Sequence, residues 1–193
     1  MIKMKHILFS IVLVALSGCT KEPALKVYSL DVLTQSAVKN AHYRSKSIKV
    51  AYPQSLREQI TQKMHFSYSS SDIGTYQNSE WSNNMSKLLQ GTFIEVLGSA
   101  RLFKIALSDT SSVKEDYRLE STVFTFSHSV RDAQSHAIVS IEFTLMDANT
   151  GSLIKSKRFS YREGTPTVDA QGYVKATNAA MARLSGDLVE WLR

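Results

Sequence analysis

A single cysteine, Cys19, is all the thiol chemistry that this 193-residue chain carries. It has no second cysteine to pair with, so an internal disulfide framework is excluded. After Cys19 no apolar run approaches the roughly 20 residues that a membrane-spanning helix needs. A Gly-x-Ser-x-Gly elbow, a Walker loop and a Gly-x-Gly-x-x-Gly turn are all missing, and with them the commonest footholds for an enzyme reading. There is no internal repeat and no low-complexity stretch. The charge balance is +6, but the basic residues are scattered from Lys46 to Arg158. A nucleic-acid partner would want a clustered basic stripe. The reading is a mildly basic solvated surface, with at most a weak pull toward anionic lipid headgroups of about 1 kcal/mol per residue.

What is present starts at the amino terminus. Lys3, Lys5 and His6 precede an apolar run from Ile7 to Leu16, and small residues follow. A cationic start, a short apolar centre and a small-residue exit make a secretory signal over residues 1–18. Leu16-Ser17-Gly18-Cys19 resembles the lipobox of bacterial lipoproteins, which implies that Cys19 is acylated and becomes the first residue of the mature chain. Residues 19–25 then form a lipidated tether. At about 3.3–3.6 Å per residue, the stretch from Cys19 to Lys26 reaches roughly 25 Å. Residues 26–193 have the size of one domain, long enough for a core without disulfides or metal.

Along that domain the hydrophobic period alternates between strand and helix. Val27 to Leu33 reads as a strand, Thr34 to Ser47 as a loop, and Ile48, Val50 and Tyr52 as a second strand stopped at Pro53. Pro53 to Gln62 reads as a turn or one helical turn presenting Leu56 and Ile60. Met64, Phe66 and Tyr68 give a third strand, and Ser69 to Asn78 a mobile polar loop. Trp81, Met85, Leu88, Leu89, Phe93, Val96 and Leu97 predict a helix over 79–97, capped by Asn78 or Ser79 and stopped at Gly98. Leu102 to Leu107 follows as a short strand, suggesting a right-handed crossover to a parallel neighbour. Tyr117 to His128, Ala137 to Leu145 and Leu153 to Tyr161 are three strands in succession, the last two joined by the turn Asp147–Gly151. Residues 169–193 close the chain as an amphipathic helix with Val174, Met181, Leu184, Leu188 and Trp191/Leu192 inward, and Ala176, Ala179 and Ala180 allowing close packing. The expected fold is α+β: one domain with a mixed, mostly antiparallel sheet and two long helices packed on the same side.

Candidate chemistry is sparse. His42, His65, His128 and His136 are spread along the mature chain. His128 and His136 flank the Arg131–Ala133 turn, where a three-residue loop would pair them and a two-residue loop would point them to opposite faces. Two histidines without a third ligand make a poor metal site, so no metal and no cofactor are expected. Glu163 and Asp169 read as helix-entry chemistry rather than an acid/base pair. Trp81 and Trp191 read as core. Phe124 and Phe126 are placed on one face, opposite Val123, which loads both faces of their strand with apolar groups. Either a helix covers each face, or these two phenylalanines mark a partner interface.

The order of these elements resembles the ABC-type transport auxiliary lipoproteins. The carrying residues are the lipobox, Val27-Tyr28-Ser29-Leu30, Ile48-Lys49-Val50 before Pro53, Leu56, Gln59-Ile60, and Trp81 four residues before Met85. Leu102-Phe103, Tyr117-Arg118-Leu119, Phe124 or Phe126, Asp147 with Gly151, Phe159 and the alanine-containing helix from Ala176 to Leu192 continue the pattern. The chain departs from it at Ser82-Asn83-Asn84, where a proline is common, and at Arg57-Glu58-Gln59. The resemblance implies a non-enzymatic, lipid-anchored periplasmic protein. Its implied partners are a lipid-carrying protein with mammalian-cell-entry (MCE) domains and the ABC permease and ATPase that serve it. Thr20 and Lys21 follow the cysteine, rather than the aspartate that favours inner-membrane retention in enterobacteria, which points to the outer membrane, with the inner membrane as the alternative. The alternative class is an outer-membrane assembly lipoprotein that inserts barrels or activates a cell-wall synthase.

Overall fold

The computed structural model describes residues 23–31, 35–55, 61–131 and 134–193. The signal segment, Cys19, Thr20, Lys21, the Val32-Leu33 end of the first expected strand and Leu56 to Ile60 lie outside them.

One long strand organises the sheet. In chain order the strands are β1 (Lys26–Tyr28), β2 (Ser47–Val50), β3 (Gln54–Ser55), β4 (Lys63–Ser67), β5 (Ile73–Trp81), β6 (Ile105–Ser108), β7 (Tyr117–Arg131), β8 (Gln134–Asp147) and β9 (Leu153–Gly164). Along one edge β7 pairs antiparallel with β8, which pairs antiparallel with β9. Along its other edge β7 takes β2, β3 and β4 in turn, all parallel. The sheet therefore forks: β6 continues outward from β2, while β5 and then β1 continue from β4. The sheet is mixed, its long ladders are the antiparallel ones, and it does not close.

The alternation of β8 explains why the sheet has one greasy face. Ala137, Val139, Ile141, Phe143 and Leu145 are all 0–1 % exposed, and the residues between them face the other side. That other side carries cross-strand polar pairs: Ser140 with Ser160 at 2.8 Å, Thr144 with Ser156 at 3.2 Å and Glu142 with Arg158 at 3.2 Å. Both helices cover the greasy face and touch each other. Helix α1 (Met85–Ala100) buries Met85, Leu89, Phe93, Val96, Leu97 and Ala100. Its Phe93 meets Phe143 edge-on at 4.9 Å. Helix α2 (Ala170–Leu192) buries Tyr173, Val174, Met181, Leu184, Leu188 and Leu192. Each large apolar side chain so enclosed contributes about 1.5–3 kcal/mol, which is why no crosslink is needed.

Several boundaries differ from the sequence reading, each for a local reason. The first helix starts at Met85, where the Asn84 side chain accepts a hydrogen bond from Ser86 N at 2.9 Å. Trp81 instead ends β5, its backbone N–H bonded to Gln62 O at 2.8 Å. Gly98 does not stop the helix. The chain turns only at Arg101, left-handed at φ 52°, because one more turn is needed to bury Ala100 and Leu102. The polar stretch 69–78 is not a loop throughout: β5 begins at Ile73 and is held by β4 and β1. The first strand is only Lys26–Tyr28, the strand after α1 starts at Ile105 rather than Leu102, and Gln54 and Ser55 pair with Thr122 and Val123. Ala179 is exposed on α2. The Asp147 turn forms as expected: its carboxylate accepts from Asn149 N and Thr150 N, and Gly151 takes φ 71°. No described helix is long and apolar enough to cross a membrane.

Candidate functional site

A β-bulge separates the two phenylalanines that the sequence groups together. The β7–β8 register runs Val123 with Ile141 and then Thr125 with Ser140, so Phe124 is the extra residue. A bulge moves every later side chain to the opposite face. Before it Leu119 and Val123 point into the core; after it Phe126 and His128 do. Phe126 is 2 % exposed and packs edge-on against Trp81 at 6.0 Å. It is closed off from any partner surface. Phe124 lies on the helix-free face, half-buried, with the Arg158 guanidinium 3.4 Å above its ring centre. The two phenylalanines therefore do not share a face: Phe126 is a core residue, and Phe124 is a half-buried surface residue beneath Arg158.

The same hairpin separates the histidines. Arg131 pairs with Gln134, so His128 pairs with Ala137 and His136 with Ser129, leaving the two rings on opposite faces. His136 sits on the open face near Arg162, at 3.2 Å. His128 is fully buried. Its ring stacks on Tyr173 with centroids 5.1 Å apart and planes 5° apart, and its Nδ1 lies 2.6 Å from the phenol of Tyr76. Burial pushes His128 down to about 4; the nearby Asp169 carboxylate opposes this and His136 adds to it. Burial, with smaller contributions from Asp169 and Tyr68, pushes Tyr76 up to about 12. A protonated phenol therefore faces a neutral imidazole at neutral pH. Donation from Tyr76 to Nδ1 leaves the imidazole hydrogen on Nε2, which has no partner among the described residues. The stack ties β5, β7 and α2 together.

In front of Tyr76 an open cleft of about 430 Å³ runs between β5 and the start of α2, lined by Lys26, Tyr28, Phe66, Tyr76, Asn78 and Asp169. Asp169 is fully engaged as the helix cap: it accepts from Gly172 N at 2.7 Å and from the Thr167 hydroxyl at 2.8 Å. The Gly172 amide, foremost, holds its carboxyl below the usual range. Glu163 pairs with Arg183 on α2. Asp169 is thus helix-entry chemistry, as expected, whereas Glu163 is not: it ties β9 to the middle of α2. At the far end of β7, Lys49 Nζ sits 2.8 Å from Glu115, the two side chains 10 % and 13 % exposed, and Arg118 adds a second contact at 3.1 Å. Lys49 is the main reason the Glu115 carboxyl is held low. No group of three metal-ligating side chains occurs among the described residues. Tyr76 and Tyr173 escaped the sequence reading because neither stands in a motif; the stack appears only when the bulge has turned His128 inward.

A forked mixed sheet with two helices on one face defines the class. Within it, the chain belongs to the ABC-type transport auxiliary lipoprotein component family, whose model matches residues 28–189. Protein XCC0632 from Xanthomonas campestris shares the fold at 15 % identity, with a TM-score of 0.76 over 86 % of this chain and 94 % of that one. A second, uncharacterized protein is similar at 16 % identity and a TM-score of 0.68, over 89 % of this chain and all of the other. No curated protein matches in sequence.

Proposed function

We propose that this auxiliary lipoprotein serves an ABC transporter that moves lipid between membranes through an MCE-domain carrier, and that it does so without catalysing a reaction. Acylation of Cys19 holds the domain at the periplasmic face of the outer membrane. Two acyl chains, at about 0.8 kcal/mol per buried CH₂, make such an attachment stable. The body docks onto the carrier and brings it to that membrane. The observation that carries this reading is the family match over residues 28–189. The architecture supports it too: the helices occupy one face, so the other face and the outer strands β1, β6 and β9 stay available to a partner. Among the described residues the one fully buried histidine, His128, faces a phenol rather than a nucleophile or a metal ligand, which favours binding over catalysis.

The test is crosslinking in the native envelope, with photoreactive residues placed on the helix-free face and identification of what is captured. An MCE-domain protein is expected. Consistent capture of a barrel-insertion component or a peptidoglycan synthase would replace this reading with the assembly-factor alternative.

A further inference from the structure

Three basic residues that lie far apart in sequence converge at one end of the sheet. Arg44, from the segment before β2, Arg101, from the left-handed end of α1, and Lys104, from the approach to β6, border an open groove of about 570 Å³. Its floor is apolar: Ile94 of α1, Phe103, and Ile105 and Ala106 of β6. Ile105, the first residue of the edge strand β6, is 44 % exposed. Among the described residues no acidic side chain lines the groove. Among the described residues Arg101 and Lys104 make no ion pair, and the Arg44 guanidinium donates only to Val38 O, at 3.0 Å. The neighbouring Lys46, by contrast, is committed to Asp116.

We propose that this groove is a second membrane contact: the phosphates of anionic phospholipids at a bilayer surface sit against Arg44, Arg101 and Lys104, and Ile105 enters the glycerol and upper acyl region. Cations near the end of α1 also complement the helix dipole, but that end carries only about half a negative charge. Three full positive charges outweigh it, and the dipole gives no reason for an apolar floor. Reach sets the orientation. β2 and β4 share one edge of β7 but lie at its two ends, β2 against Tyr117–Leu119 and β4 against His128–Ser129. The β6 and β1 branches are therefore on the order of 30 Å apart along β7, and with a tether of about 25 Å the β6 end meets the bilayer when β7 lies along the membrane. Each basic residue close to an anionic surface strengthens binding about fivefold, and three together on the order of a hundredfold.

Acylation is not required for the contact, so it is tested on residues 20–193. That chain keeps every described element and the whole core while lacking Cys19. Sedimentation with vesicles of equal parts phosphatidylglycerol and phosphatidylcholine is compared with phosphatidylcholine alone. The expected preference for the anionic vesicles is on the order of a hundredfold at low salt, weakening as salt rises. Arg101→Gln with Lys104→Gln lowers it about 25-fold. Ile105→Ser weakens binding with the charge unchanged, and Lys175→Gln, on the exposed side of α2, leaves it near wild type. Equal binding of the wild-type chain to both vesicles would overturn the proposal without any variant, as would a folded groove variant that binds like wild type. Neither result would touch the anchoring by Cys19.

Discussion

The phenol of Tyr76 and Nδ1 of His128 lie 2.6 Å apart across the join between β5 and β7, behind the cleft at the start of α2. The folded state thereby holds a neutral histidine whose proton affinity is far below that of the unfolded chain. The proton-free form is favoured by folding, so its contribution is fully present above the ordinary value of 6.5 and is lost as pH falls through about 4. Stability is expected to drop by up to about 3 kcal/mol across that window. His65, also held low by burial and by Lys63, adds slope of the same sign. His128→Phe keeps the stack on Tyr173 and removes the titration. Denaturant midpoints measured from pH 7 to 4 should fall steeply for wild type and much less for the variant; parallel profiles would contradict the assignment.

The bulge at Phe124 gives opposite roles to neighbouring aromatics. Phe126→Ala empties core space beside Trp81 and should cost about 3–5 kcal/mol. Phe124→Ala removes a surface ring beneath Arg158 and should cost less than about 1 kcal/mol. Denaturation of the two variants side by side checks this, and similar losses would mean that the register shift is misplaced.

Two glycines on α2 should also respond oppositely. A Cβ at Gly172 would stand 2.0 Å from Thr167 O and 2.6 Å from its hydroxyl, the group that supports the Asp169 cap. Gly172→Ala therefore breaks the helix entry and should cost roughly 1–3 kcal/mol. Gly186 has nothing within 4 Å of such an atom. Gly186→Ala should raise stability by up to about 1 kcal/mol through helix propensity alone. Thermal melts of both variants decide it.

The parts of this fold that announce themselves in sequence are those where one physical rule acts alone. The β8 alternation is visible because one side of that strand meets only core. The start of α2 is visible because Asp169 is a capping residue ahead of a clean apolar stripe. β5 is hidden: Gly74, Gln77, Asn78 and Ser79 have low strand propensity, and the strand exists because β4 and β1 supply its partners. Trp81 falls into helical spacing with Met85 by coincidence, and Asn84 decides the true start. The bulge leaves only a doubled aromatic, Phe124-Thr125-Phe126, which reads equally well as an apolar face. The basic groove is invisible for a different reason. Arg44, Arg101 and Lys104 meet only after α1 has carried the chain back to β2.

The anchor is the premise of the whole functional account, and intact-mass analysis of the protein purified from the envelope tests it most directly. The expected result is a chain that begins at Cys19, carries the mass of a diacylglycerol-type modification, and remains as unprocessed, unlabelled precursor when Cys19→Ala is introduced. A mature terminus without acyl mass, or a Cys19→Ala protein that still incorporates palmitate, would contradict it.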